Sequence, residues 1–196
     1  RRQPPGERST RCRCTPRSHR AGAPCALSKH SYRQGMTSLT DAPLTMLDGR
    51  ETTFAEFADH VVLVVNVASR CGLAPQYGQL EELQKRYADR GFTVLGVPSN
   101  QFLQELSSEE KIAEYCSTTW GVTFPMTEKA KVNGSKRHPL YQQLVETPDG
   151  GGKAGPIMWN FEKFLVLPSG DVPRFRPTVK PDAPEIAQLI EADLPR

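Results

Sequence analysis

The chain has 196 residues, enough for one domain with a full hydrophobic core, and a formal net charge of +3. That sign belongs to one end. Residues 1–36 hold eight Arg and Lys29 against Glu7 alone, so of 25 basic and 22 acidic residues, 16 and 21 remain from Thr37 onward, a net charge of −5. A nucleic-acid reading built on overall charge therefore fails for that part.

Residues 1–35 are rich in Pro, Ser and Arg and lack apolar periodicity, so they are expected to form a disordered basic extension. They contain no apolar core of signal-peptide length. An organelle transit peptide and translated upstream sequence are the two readings of this extension, and the second is preferred because Met36 opens a segment patterned as a folded domain, 36–196. Cys12, Cys14 and Cys25 lie in the extension with His19 and His30, but C-x-C is tighter than ordinary zinc-ligand spacing, so no metal is expected. The domain keeps only Cys71 and Cys116, which suggests a reducing, cytoplasmic setting.

In chain order, Asp48-Gly49 between β-prone residues predicts a hairpin. Phe54 and Phe57 mark a short helical piece. The run VVLVVNVA at 61–68 is a continuous apolar stretch of strand length, suited to a central strand covered on both faces. Its longest purely apolar part, VVLVV, is too short to cross a bilayer, so no stable membrane insertion is expected. Tyr77, Leu80, Leu83 and Tyr87 recur at helical spacing over 76–90, and Gly91 closes that helix. A second strand follows at 92–98. Ser107-Ser108-Glu109-Glu110 reads as a capping box ahead of a helix with Ile112, Tyr115 and Cys116. The stretch FPMTEKAKV reads as a strand, and His138-Pro139 opens a helix with Leu140, Tyr141 and Leu144. Ser169-Gly170 sits between two further strand-like runs. The last helix, 184–194, carries Ile186, Leu189, Ile190 and Leu194 on one face. The order βαβ, helix, ββα predicts an α/β domain of thioredoxin-like type, a mixed central sheet flanked by helices with extra segments.

Cys71 falls just past the first long strand and just before a helix, where ligands bind in open α/β sheets. Unpaired N–H groups at a helix start favour a thiolate there. The alternative is a buried cysteine acting as a small hydrophobe, but Ser69, Arg70, Gly72 and Pro75 around it predict an exposed turn.

At NVASRCG (66–72) the chain resembles the glutathione peroxidase family. VPSNQFLQE (97–105), WGVTFPM with KVNGSKRHPLY (120–141) and WNFEKFLV (159–166) extend the resemblance in the same order over essentially everything from about Thr37 onward. It implies a thioredoxin-like fold with that family's insertions and a peroxidase active in the oxidative stress response. Cys71 would be the nucleophile, and Gln104, Trp159 and Asn160 the donors around it, with no cofactor or metal. Asn100-Gln101-Phe102-Leu103-Gln104-Glu105 is one residue shorter than the usual loop, so Gln101 competes with Gln104, which is favoured because Glu105 follows it. Ser99 stands where many members have Cys, Ala74 replaces a usual Thr, and Leu106-Ser107 replaces Pro-Gly.

The resemblance also implies that Cys116 is the resolving cysteine, forming a Cys71–Cys116 disulfide reduced by thioredoxin. Core packing on its helix is the alternative for Cys116, and glutathione is the alternative donor. The short segment 142–158 resembles monomeric members, which accept bulky lipid hydroperoxides. Arg174, Arg176 and Lys180 read as a solvated face or as a basic patch for the reductant. Two other classes remain: a peroxide-sensing relay using Cys71 without turnover, and nucleic-acid binding through the extension alone.

Overall fold

A long strand with no polar face has to be covered on both sides, and this requirement organises the molecule. The computed structural model describes residues 38–195, so the expected disorder of residues 1–35 and the three cysteines there lie outside the described residues. Strand β3 (Val61–Val67) is buried at every position and pairs in parallel with β4 (Phe92–Pro98), from Val61 opposite Phe92 to Val67 opposite Pro98. On its other edge β3 pairs antiparallel with β5 (Lys163–Val166), which pairs antiparallel with β6 (Arg174–Phe175). The order β4-β3-β5-β6 is a mixed sheet, and β3 and β4 are joined by helix α1 (Gln76–Tyr87). This is the thioredoxin-like arrangement that the element order predicts.

Side chains alternate along a strand, so the two faces of β3 build two cores. Val61, Leu63, Val65 and Val67 join Tyr77, Leu80 and Leu83 of α1, Ile112 and Cys116 of α2 (Glu109–Trp120), and Ile186 and Ile190 of α4 (Pro184–Asp193). Val62 and Val64 join the opposite cluster with Phe54, Phe57, and Leu140, Tyr141 and Leu144 of α3 (Pro139–Leu144). Each fully buried aliphatic side chain contributes roughly 1.5–3 kcal/mol. The hairpin of β1 (Pro43–Thr45) and β2 (Glu51–Thr53) lies outside this sheet and turns at Gly49, whose φ of 84° is left-handed.

Local signals mostly act where the sequence puts them. Gly91, at φ 85°, ends the turn of 3-10 helix after α1. Ser108 caps α2, its side chain accepting from Lys111 N. The helix begins one residue later than a Ser107-to-Glu110 box requires, so a lysine occupies the reciprocal position and no box forms. The stretch FPMTEKAKV is not a strand: its β pairing is limited to the isolated bridges Gly96–Met126 and Met46–Thr127, with single backbone bonds from Glu128 N to Thr45 O and Ala130 N to Pro98 O. Pro125 has no N–H to continue a ladder. Gly96 lets this segment lie close, since a Cβ there would meet Met126 Cγ at 3.1 Å and Phe124 Cε2 at 3.2 Å.

Candidate active site

Cys71 follows β3 at the C-terminal edge of the sheet, in the turn that leads to α1. The turn is tight: Cys71 N donates to Ala68 O at 3.5 Å and Ala74 N to Cys71 O at 2.9 Å. The expected exposure does not hold. Cys71 is 5 % exposed and belongs to the apolar cluster with Val67, Ala68, Ala74 and Tyr77. Arg70, Gly72 and Pro75 are exposed, while Ser69 is buried like Cys71, whose thiol packs on the core. The expected source of N–H groups also shifts, because α1 begins only at Gln76 and the donor at the sulfur is Leu73 N in the turn, at 3.4 Å.

The loop after β4 docks on this turn through the Gln104 carbonyl and the Glu105 carboxylate. Arg70 N donates to Gln104 O at 2.8 Å, and Ser69 N to Glu105 Oε1 at 3.1 Å. Glu105 is 6 % exposed, and burial pushes its carboxyl above the usual range against the N–H donors that hold it. Leu106 N also donates to Glu105 Oε1, at 2.7 Å, a bond that a proline at this position would lack. The two candidate glutamines now separate. Gln101 accepts from Val132 N at 2.6 Å and Asn133 N at 2.7 Å and donates to Asn133 O at 3.1 Å, so its amide ties two loops together. Gln104 Oε1 instead accepts from Asn160 Nδ2 at 2.9 Å.

Trp159 and Asn160 arrive on a third segment, just before β5. Asn160 is fully buried, and its Oδ1 has no partner among the described residues. Trp159 is 42 % exposed, with its ring centroid 5.0 Å from that of Phe102. With Leu103 and Met158, both exposed, these rings form an apolar rim beside Gln104 and Asn160. Leu103 holds a left-handed φ of 59°, which a leucine seldom adopts.

Asn66 holds this third segment to β3. Its Nδ2 donates to Trp159 O at 3.0 Å, its Oδ1 accepts from Glu162 N at 3.0 Å, and its carbonyl accepts from Phe161 N at 2.6 Å. Asn66 is the one polar residue inside an apolar run, and that break is the signal in the sequence that marks it. Asn66→Ala is expected to lose about 2–3 kcal/mol in urea unfolding, because it leaves two inward-facing backbone groups unpaired and releases the segment of Trp159 and Asn160 from β3.

Cys116 sits on α2, 2 % exposed, in the same apolar cluster as Cys71, and both thiols are free. Burial pushes its thiol up to about 11; the neighbouring Tyr77 hydroxyl opposes the shift and the charge of Glu105 adds to it. Cys116 also lines a cavity of about 370 Å³ with Met46, Val122, Phe124 and Met126.

The basic trio separates. The side chain of Arg174 is fully buried against Glu162, 2.6 Å away, so it is neither a solvated residue nor part of a patch. Arg176 is shared between Asp149 and Glu162, at 2.7 Å each. With both guanidiniums engaged inward, only Lys180 of the three is left outside this network. Among the described residues no group of three His, Cys, Asp or Glu side chains converges as a metal site would require, and no helix is long and apolar enough to cross a membrane.

Three comparisons bear on this site. Residues 40–145 match the family model described as glutathione peroxidase. The thioredoxin/glutathione peroxidase BtuE of Escherichia coli K12 is 49 % identical over 169 residues, 76 % of this chain and 92 % of that protein. The hydroperoxy fatty acid reductase gpx1 of Synechocystis is 47 % identical over 152 residues, 74 % of this chain and 89 % of its own length. The crystal structure of Trgpx in apo form superposes with a TM-score of 0.62 at 36 % identity, covering 80 % of this chain and 95 % of that one. A family model matched over more than half the sequence, and relatives near half identical over most of their own lengths, agree with the fold: the chain belongs to the glutathione peroxidase family.

Proposed function

We propose that this protein is a cysteine-dependent peroxidase that reduces hydrogen peroxide and organic hydroperoxides to water and alcohols. The Cys71 thiolate attacks one peroxide oxygen, the O–O bond breaks, and the sulfur is oxidised to a sulfenic acid while the other oxygen leaves and takes a proton. Donors are needed where negative charge builds on that oxygen. The observation that carries the reading is the Asn160–Gln104 bond beside the Cys71 turn: with Oε1 of Gln104 occupied by Asn160, the two N–H bonds of Gln104 Nε2 are free of that bond and serve as donors in this reading. Trp159 Nε1 is the third donor in this reading.

Cys116 then attacks the sulfenic sulfur, water leaves, and a Cys71–Cys116 disulfide forms, to be reduced by a dithiol such as thioredoxin. In this reading α2 opens before this step, which brings the buried Cys116 thiol to the sulfenic sulfur and lets it ionise. The Escherichia coli relative is named for both thioredoxin and glutathione, and Cys116 favours the first. The apolar rim of Phe102, Leu103, Met158 and Trp159 favours alkyl and lipid hydroperoxides, in line with the name of the Synechocystis relative. The short segment 142–158 favours a monomer, and the two-cysteine domain a reducing, cytoplasmic setting.

One equivalent of peroxide followed by non-reducing mass spectrometry is expected to yield a Cys71–Cys116 peptide pair. In the reduced protein at pH 8, iodoacetamide is expected to label Cys71 ahead of Cys116. Overoxidised Cys71 with no cross-link would remove the resolving role. Steady turnover with thioredoxin and its reductase, compared with glutathione on the same full chain, identifies the donor; stoichiometric oxidation without turnover points to a relay.

A further inference from the structure

Lys163 opens β5 with no exposed surface, and among the described residues it makes no ion pair. The adjacent Glu162 is no partner, because its carboxylate is taken by Arg174, Arg176 and Met158 N. Burial pushes the ammonium down to about 7, with Glu162 opposing. An unbranched apolar side chain would fill this space without desolvating a charge, so the amine must be judged by what it holds. Nζ donates to Phe161 O at 2.7 Å and to Pro177 O at 3.4 Å. Phe161 follows Asn160 directly and holds a left-handed φ of 65°, uncommon for a phenylalanine. Pro177 O also accepts from Gln76 Nε2 at 3.0 Å, the first residue of α1 after the Cys71 turn. One buried amine therefore joins the segment carrying Asn160 to the start of the helix that follows Cys71. A neutral amine keeps two N–H bonds, so the clamp persists on either side of the titration.

We infer that Lys163 is a positioning residue for the peroxide reaction: its bond to the Phe161 carbonyl fixes the left-handed turn that aims the Asn160 amide at Gln104. The inference rests on the reading of Asn160 as part of the donor group around Cys71. It separates a role in catalysis from a role in stability, because the same amine that orders the turn is a buried charge that the core would be more stable without. Below pH 7 the folded chain carries that charge at a cost; between pH 7 and the ordinary lysine range the unfolded chain holds a proton that the folded one has released, so the cost is relieved as pH rises.

The test uses the full chain with Lys163→Met, Asn160→Ala and the double variant. Three quantities are read: the rate of Cys71 oxidation by hydrogen peroxide, the rate of Cys71 alkylation by iodoacetamide, and the thermal midpoint. Lys163→Met is expected to keep or raise the midpoint, most at acidic pH, and to leave alkylation unchanged, while peroxide oxidation slows about tenfold. In the Asn160→Ala background the same substitution is expected to change peroxide oxidation by less than about twofold. Lys163→Gln, which keeps a buried N–H donor, is expected to lose less, and it takes the place of Lys163→Met in the cycle if that variant does not fold. An unchanged peroxide rate, equal losses in both backgrounds, or a parallel fall in alkylation and midpoint each overturns the inference. A normal peroxide rate in Asn160→Ala alone removes the reading of Asn160 and this inference with it, whereas a slow Asn160→Ala beside a normal Lys163→Met removes this inference only.

Discussion

Cys71→Ser is expected to abolish peroxide consumption, a loss of more than about 10³-fold on the scale seen when an enzyme's nucleophile is removed. The reason is chemical rather than steric. A hydroxyl is not ionised near neutral pH and cannot pass through sulfenic acid and disulfide states, so neither half of the cycle remains. The fold should survive, because serine is nearly the same size and its hydroxyl lies where Leu73 N already donates to the sulfur. Circular dichroism and a coupled assay with thioredoxin and its reductase would be run together. Residual turnover by a folded Cys71→Ser protein would move the chemistry to another residue, and Cys116 is the only other cysteine of the domain.

The parts of this site that were legible in the sequence are those whose pattern is local. VVLVVNVA reads as a two-sided strand because burial on both faces removes alternation, and β3 is buried at each of its positions. Helices α1 and α4 show their apolar faces at a spacing of 3.6 residues. Non-local pairing left no such trace. Serine, arginine, glycine and proline around Cys71 predict an exposed turn, yet the residue itself is buried. Gln101 and Gln104 differ in sequence only by their neighbours, and it is the contacts of Asn133 and Asn160, from distant segments, that divide their work. Arg174 reads as a surface residue because charge is usually solvated, and nothing in the sequence marks Lys163 as buried. What buries them is Glu162 in one case and a pair of carbonyls in the other, neither announced by spacing.

The largest effect on stability is expected from Glu162→Gln, a change of shape by almost nothing. Glu162 Oε1 accepts from Arg174 Nε at 2.7 Å and from Arg176 Nη1 at 2.7 Å, and Oε2 accepts from Met158 N at 2.8 Å. Arg174 also donates to the carbonyls of Thr147 and Pro156, at 3.1 Å each, and of Val145, at 3.4 Å, and lies over the Phe164 ring at 5.0 Å. Removing the carboxylate charge leaves a guanidinium in the core with no counter-ion, which costs about 3–5 kcal/mol. Arg176 suffers less, since it is partly exposed and keeps Asp149, whose carboxyl is held down to about 2 by the Lys153 N–H and by Arg176 itself. Urea unfolding of Glu162→Gln should show a lower midpoint at an unchanged slope. Peroxide reduction should fall with it, because Met158 N anchors the segment that presents Trp159. Removing both buried charges in Glu162→Leu/Arg174→Leu is expected to cost less than Glu162→Gln alone, since no unpaired ion is then left inside. A double variant less stable than the single one would mean that the pair is held by specific geometry rather than by the need to neutralise a buried charge.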